Sequence, residues 1–343
     1  MNRIVSSEKD LDLWDHYVTV SGSASCYHLS RWKDVIEESF GHKTFYLFST
    51  GRDGNINGIL PLVMMRSFLF GNFMVSLPYF NYGGVCAETP EIALGLIDEA
   101  AALARREGSS HIELRHTCRL NGLPEKTGKV SMRLELCGNP DELWDRFSSK
   151  LRSQIRRPQK EGMVARFGRE NELLAFYRVF STNMRDLGTP VYGISFFRNI
   201  LKTFPDSSWI CTIYNKNGRP VASGFLIGFK KTLEILWASS LRDFNHLSPN
   251  MLLYWNILSF ACKRNFSVFD FGRSTPGEGT YRFKEQWGAK PAQLYWHYWT
   301  RDAGPLPELN PKNPKYSMAI QIWKRLPVAL TKIIGPAIVK NLP

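Results

Sequence analysis

The chain has 343 residues, 43% of them hydrophobic and 22% charged. That balance suits a soluble globular protein with length for two domains or one large one. Without an uninterrupted run of eighteen apolar residues, a membrane-spanning helix is excluded. The first residues, MNRIVSSEKD, lack the apolar core of a leader peptide, which points to a cytoplasmic protein. Six cysteines (26, 86, 118, 137, 211 and 262) are scattered without a C-x-x-C pair, and the seven histidines lack ligand spacing. Reduced thiols and no metal are therefore expected, with His111 and His116 as structural or surface residues. The net charge of +13 is uneven: Arg146 to Lys160 holds six basic residues and no acid, and so does Leu309 to the end. Clustering of this kind points to a phosphate-rich partner.

In chain order, residues 44–49 form a strand. Residues 51–58 turn, and 59–65 pair back on that strand. Phe68 to Pro78 reads as a further strand, closed by the glycine-bearing stretch 80–85. Residues 91–107 form an amphipathic helix with acid early and base late, ended by Gly108, and strand 111–115 follows. Pro140 and Asp141 open a helix carrying Leu143, Trp144, Phe147, Leu151 and Ile155 on one side, which Pro158 should end or kink. Helices near 171–186 and 195–203 precede a hairpin of strands 208–214 and 220–229. Strand 233–239, helix 249–265, the strand carrying Val268, Phe269 and Phe271, helix 280–287 with Thr280 as N-cap, and strand 294–299 complete the pattern.

Two segments carry chemistry. In 269–288, FDFGRSTPGEGTYRFKEQWG, a covered strand runs into a glycine loop and a short helix. Arg273, Ser274, Tyr281 and Lys284 are thereby placed at the carboxyl end of a strand, where α/β sheets bind ligands. Arg273 is a bidentate clamp for phosphate or carboxylate, or the ion-pair partner of Asp270 or Glu278. Lys284 is an oxyanion-stabilising ammonium or an ordinary exposed lysine, and Phe283 and Trp287 form an aromatic face beside it. In 148–162, SSKLRSQIRRPQKEG, Arg152, Arg156 and Lys160 share one helix face at i, i+4 and i+8. That face is a phosphate grip or a solvated surface.

A meander, a helix, a strand, a helix and a last strand is the element order of the GNAT acyltransferase fold, here apparently run twice. The two segments above, with SPNMLLYW at 248–255, PYFNYGG at 78–84, DLGTPVY at 186–192 and WASS at 237–240, resemble the FemAB branch of the GNAT superfamily. More narrowly, they resemble FemAB-related proteins associated with PEP-CTERM/exosortase and exopolysaccharide gene clusters. The resemblance covers about residues 25–300. It implies an α/β fold with mixed sheets and tandem GNAT-like domains, Fem-type, without a long coiled-coil arm. The domains expected are 1–138, 139–300 with the transfer site, and a Pro-rich connector with a basic amphipathic extension at 301–343.

Fem transferases move amino acids from aminoacyl-tRNA to a cell-wall precursor. The resemblance implies that Phe283-Lys284 corresponds to their Phe-Lys pair at the transfer centre, and that Trp32-Lys33 lies near the precursor cleft. Tyr82 and Trp237, in matching segments, join Arg273, Ser274, Tyr281, Trp287, Arg152 and Arg156 as substrate-binding candidates. Asp270, water or the substrate itself would take the proton. The stretch 238–250 lacks the glycines of the usual CoA pyrophosphate loop. No tightly bound cofactor is expected, and aminoacyl-tRNA and acyl-CoA both stay open as donors.

The expected activity is acyl or aminoacyl transfer to an amine or hydroxyl of a cell-envelope or exopolysaccharide precursor, lipid-linked or not. The reading from another class is a non-catalytic saccharide- or lipid-binding component of an exopolysaccharide or protein-sorting system. Residues 319–340, apolar, basic and broken by Pro327 and Pro336, either form an interfacial helix at the inner face of the cytoplasmic membrane or pack back on the first domain.

Overall fold

The computed structural model describes residues 2–67, 71–302, 304, 306 and 314–342. The start of the strand expected from Phe68, and most of the Pro-rich connector, lie outside the described residues. The chain divides into two compact units: Met1–Lys129 with Gln293–Leu309 and Lys340–Pro343, and Val130–Ala292 with Asn310–Val339. Each unit is built on a mixed sheet.

In the first unit the strand order is Asn2–Ile4, Thr44–Thr50, Ile56–Ser67, Gly71–Val75, His111–His116, Tyr295–Thr300 and Glu125–Lys126, with Cys86–Ala87 added to Ile56–Ser67. The helix Pro90–Arg106 covers one face. Thr89 accepts the Ile92 N–H, Pro90 stands at its first turn, and Arg105 and Arg106 meet its carboxyl end. Its Leu96, Ile97, Ala100 and Leu103 pack with Leu47, Leu60 and Leu62. The loop 78–84 is held from below: the Arg115 guanidinium donates to Phe80 O at 2.6 Å and pairs with Glu113 at 2.7 Å. Gly84 is required there, because a Cβ would fall 2.3 Å from the His116 ring.

The second unit has the order Lys290–Gln293, Val130–Glu135, Val268–Ser274, Thr232–Ser240, Pro220–Phe229, Ser208–Tyr214 and Val164–Gly168. The helix Pro249–Lys263 packs its Leu253, Ile257 and Leu258 with Ile213, Leu226 and Ile235. Phe176 and Phe197, from the helices Glu170–Leu187 and Ile194–Thr203, meet Phe225. Phe225 and Leu226 are successive residues of one strand, so the two helical layers cover opposite faces.

Both sheets share one plan. Three antiparallel strands lead through a helix to a strand parallel to the third, with an antiparallel strand beyond. The expected borders at 138/139 and 300/301 differ from this division for one reason. Val130–Glu135, which the sequence reading left without a strand, pairs with Val268–Ser274 in the second sheet, while Tyr295–Thr300 pairs with His111–His116 in the first.

Smaller differences are local. The helix expected to run from Pro140 breaks at Phe147 and Ser148, which are extended, and restarts as Ser149–Lys160 with Ser148 capping Leu151 N–H. Pro158 sits in the last turn of that helix without ending it. The short helix starts at Gly279 with Glu278 as N-cap, ahead of the expected Thr280. The longest described helix has 18 residues.

The C-terminal helices Pro314–Arg325 and Val328–Val339 belong to the second unit. They lie on Glu170–Leu187 in the second unit. Arg185 donates to Leu326 O at 3.0 Å, and Lys332 lies over the Tyr177 ring at 5.4 Å. Gly335 fits against Val191 so closely that a Cβ would lie 2.9 Å from its backbone.

Candidate functional site

The second sheet opens into a fork. Thr232–Ser240 and Val268–Ser274 pair in parallel only at Thr232↔Val268, Leu233↔Phe269 and Glu234↔Asp270. Just beyond the last pair, each strand carries an irregularity against its other neighbour. One falls between Phe225 and Leu226 opposite Leu236, and the other lies between Asp270 and Arg273. Bulges bend and twist strands, so the paired irregularities turn the two strands apart. Gly272, at φ +74°, supplies the left-handed residue of the second bend.

Asp270 fixes this bend. The side chain is 1% exposed. Its Oδ1 accepts from Ser131 Oγ at 2.6 Å and from Gly272 N–H at 2.7 Å, and its Oδ2 accepts from Arg133 Nε at 3.3 Å. With both oxygens committed to donors, the carboxylate sits as an anchor of the strand end. Glu234, its partner in register, is also buried. Sequence reading passed over Glu234, although an acid inside the apolar run TLEILW was a signal for it.

Lys284 comes up from the short helix to the same place and is 8% exposed. Its Nζ donates to Gly272 O and to Arg273 O, each at 2.9 Å. An ammonium has three N–H groups, so one is left beyond these two bonds. Burial pushes the lysine down from its usual 10.5 to about 8. Asp270 and Glu234 oppose that shift, and Arg273 adds to it. The ammonium is thus not that of an ordinary exposed lysine. It is locked on the strand end.

The aromatic half of the segment forms one wall. Tyr254 stands 5.1 Å from Phe283, 5.5 Å from Phe271 and 6.0 Å from Trp287 between ring centres, and Phe147 meets Trp287 at 5.4 Å. Tyr281 packs on the same core. Around this wall three buried polar atoms make no hydrogen bond: Ser274 Oγ, Trp287 Nε1 and Asn250 Oδ1. Arg273 is exposed at the strand end.

Other candidates lie elsewhere. Trp237 packs at 5.1 Å from Phe197 and 5.7 Å from Phe225, on the face covered by Ile194–Thr203. Trp32 and Tyr82 belong to the first unit and are buried. Trp32 donates to Cys26 O at 2.7 Å and packs on Phe80, and Tyr82 packs on Tyr27. These are core positions, so direct contact of Trp32 or Tyr82 with a ligand would need the surrounding rings to move. Lys33 pairs with Glu37 at 2.7 Å. Arg152 and Arg156 line a pocket of the second unit with Trp144, Arg157, Lys160 and Ser248. All six cysteines are free thiols. Among the described residues no group of three or more His, Cys, Asp or Glu side chains could hold a metal ion.

Comparison with known proteins bears on the fork. Residues 145–285 match the acetyltransferase (GNAT) domain family. Among curated sequences no significant match is found. The crystal structure of FemX superposes with a TM-score of 0.66 at 14% identity, covering 86% of this chain and 96% of that one. The C-terminal domain of a putative lysylphosphatidylglycerol synthetase from Agrobacterium fabrum gives 0.58 at 11% identity, with 87% and 93% covered. A tandem GNAT protein from the clavulanic acid biosynthesis pathway gives 0.55 at 10% identity, with 90% and 99% covered. The chain has a tandem GNAT-like fold of mixed α/β sheets, and the matched domain contains the fork, its carboxylates and Lys284.

Proposed function

We propose that the second unit is an acyl- or aminoacyltransferase whose acceptor is an amine or hydroxyl of a cell-envelope or exopolysaccharide precursor. The observation that carries this reading is the buried Lys284 ammonium, held by two carbonyls at the open end of the fork, inside the region that matches a GNAT domain. The acceptor nucleophile adds to the acyl carbonyl. The carbonyl oxygen gains negative charge, and the remaining N–H of Lys284 donates to it. Collapse expels the donor's leaving group, and the nucleophile's proton passes to water or substrate. Asp270 is a positioning residue in this scheme, since it shapes the bulge whose carbonyls hold Lys284. Phe283, Tyr281 and Trp287 shape the wall, in which Trp287 Nε1–H is a buried donor without a hydrogen-bond partner.

Both donor classes remain in this proposal. Where a glycine-rich CoA loop would enter the helix, the chain instead forms the 3₁₀ turn Arg242–Leu247 followed by Ser248. The test is a panel of labelled acetyl-CoA and charged tRNAs offered with nucleotide-linked and lipid-linked saccharides, read by product mass. Label transferred to one acceptor is expected. If saccharides raise the melting temperature while no donor labels any acceptor, the protein is the binding component instead.

The C-terminal helices support a peripheral membrane contact within the same proposal. No described helix is long and apolar enough to cross a membrane. Even so, their outer side leaves Met318 70% and Ile333 74% exposed, with Ile322, Leu330 and Ile338 also exposed, and Lys324, Arg325, Lys332 and Lys340 nearby in sequence. That composition fits an anionic interface. Flotation with phosphatidylglycerol vesicles should carry the chain upward. Ile322→Asp/Ile333→Asp should abolish flotation, and unchanged flotation of that variant would reject the contact.

A further inference from the structure

We infer that the pocket beside the helix Ser149–Lys160 is a diphosphate-binding site built from side chains. The inference rests on the transfer reading only for the ligand's role: it would hold the phosphorylated end of a substrate whose reacting group lies at the fork. The pocket has a volume of about 870 Å³, within the range of small-molecule sites, roughly 300–1,000 Å³. Arg152, Arg156, Arg157 and Lys160 line it, against the carboxylates of Asp145 and Glu161. The helix has no acid of its own, and its turn spacing sets Arg152, Arg156 and Lys160 about 6 Å apart along the axis.

Two of these cations are pre-oriented. The Arg156 guanidinium lies over the Trp144 ring at 5.2 Å, and Trp144 is braced by Trp255 at 4.8 Å. Arg152 leans towards Asp145 at 3.7 Å, a distance that leaves its other N–H groups for a ligand. Guanidinium groups fixed this way suit bidentate phosphate contacts. Leu151 and Ile155 on the reverse of the helix are buried, so the cations cannot turn inward.

The pocket's far edge comes from the helix Pro249–Lys263 side of the same unit, through Ser248. Ser248 stands at the entry of that helix, and the 3₁₀ turn Arg242–Leu247 joins it to the fork strand Thr232–Ser240. On the transfer reading, a diphosphate held by the basic helix is the anchored end of a substrate whose remainder reaches Lys284 in the same unit. The grip comes from side chains of a different helix than the one whose entry carries a glycine loop in a CoA site. It explains how anion binding is served where those glycines are missing.

The experiment is calorimetric titration of the full chain with inorganic pyrophosphate, uridine diphosphate, and vesicles carrying a prenyl diphosphate. Saturable 1:1 binding of pyrophosphate is expected, weakening with added salt. Arg156→Ala should weaken it about tenfold, and Arg152→Ala/Arg156→Ala about a hundredfold, with the ligand-free melting temperature little changed, because the ion pair to exposed Asp145 and the stack on Trp144 contribute little to stability at a solvated rim. Tighter binding of uridine diphosphate than of pyrophosphate assigns a soluble nucleotide source, and tighter binding of the vesicles assigns a lipid-linked one. Lys284→Met should bind pyrophosphate as the parent does, which separates this site from the transfer chemistry. No saturable binding of any diphosphate probe, or equal binding by the double variant, overturns the inference and leaves the transfer proposal standing.

Discussion

Lys284→Met is expected to lower the transfer rate by about 10²–10³-fold, the usual effect of removing one preorganised oxyanion donor, while the protein stays folded. The methionine fills most of the lysine's volume but leaves Gly272 O and Arg273 O without their Nζ partner. Against that loss, the desolvation cost of a buried ammonium disappears. The sign follows from the shift. Folding lowers this lysine from 10.5 to about 8, so between those values the unfolded chain binds more protons and stability rises with pH. Below about pH 8 both states are protonated and the cost, on the order of 3 kcal/mol for a shift of this size, is fully present. Denaturant unfolding from pH 7 to 10.5 should therefore show an upward slope in the parent that the variant lacks. Full activity in the variant would remove Lys284 from the chemistry.

Asp270→Ala is expected to be the more damaging change to the fold, by about 3–5 kcal/mol. It strips the acceptor from Ser131 Oγ, Gly272 N–H and Arg133 Nε at once, and buried donors left unpaired carry their full desolvation penalty. It also removes the carboxylate that does more than Glu234 to sustain the Lys284 ammonium. Asp270→Asn should cost less, because an amide oxygen can still accept the Gly272 N–H. Urea denaturation measures both, with the exposed Arg273→Ala as a near-neutral control. An alanine variant within 0.5 kcal/mol of the parent would show that Asp270 does not hold the bulge.

Much of this arrangement was readable from residue patterns, and the failures share a cause. The helix Pro90–Arg106 announced itself through its amphipathic spacing, its early acid, its paired terminal arginines and Gly108, and the hairpin around residues 215–219 through its Asn-Gly turn. Those signals are local. The alternation of Val130, Met132 and Leu134 was equally visible, but nothing within six residues states that their strand pairs with Phe269 and Asp270, far along the chain. The same holds for Tyr295–Thr300, which finds its partner near residue 113. Sheet membership is decided by long-range pairing, and domain borders drawn from local element order move with it.

The site shows the same division. The strand–loop–helix around Lys284 followed from Gly272 and the apolar spacing of Phe269, Phe271, Phe283 and Trp287. What the lysine does there did not, because its burial depends on two bulges and on Glu234 across the fork. Trp32 and Tyr82 show the converse. Both were candidates only through their likeness to Fem segments, and a likeness of segments does not say which way a ring turns; both rings are buried in the first unit.

The central claim, that a buried Lys284 ammonium stabilises the acyl-transfer oxyanion, is tested most directly by the pH dependence of single-turnover transfer from pH 6 to 10. A cationic Lys284 predicts a rate that is level below about pH 8 and then falls tenfold per pH unit, with that fall absent from the residual activity of Lys284→Met. A rate that climbs through pH 8 would mean that neutral Lys284 acts as a base, and it would contradict the account.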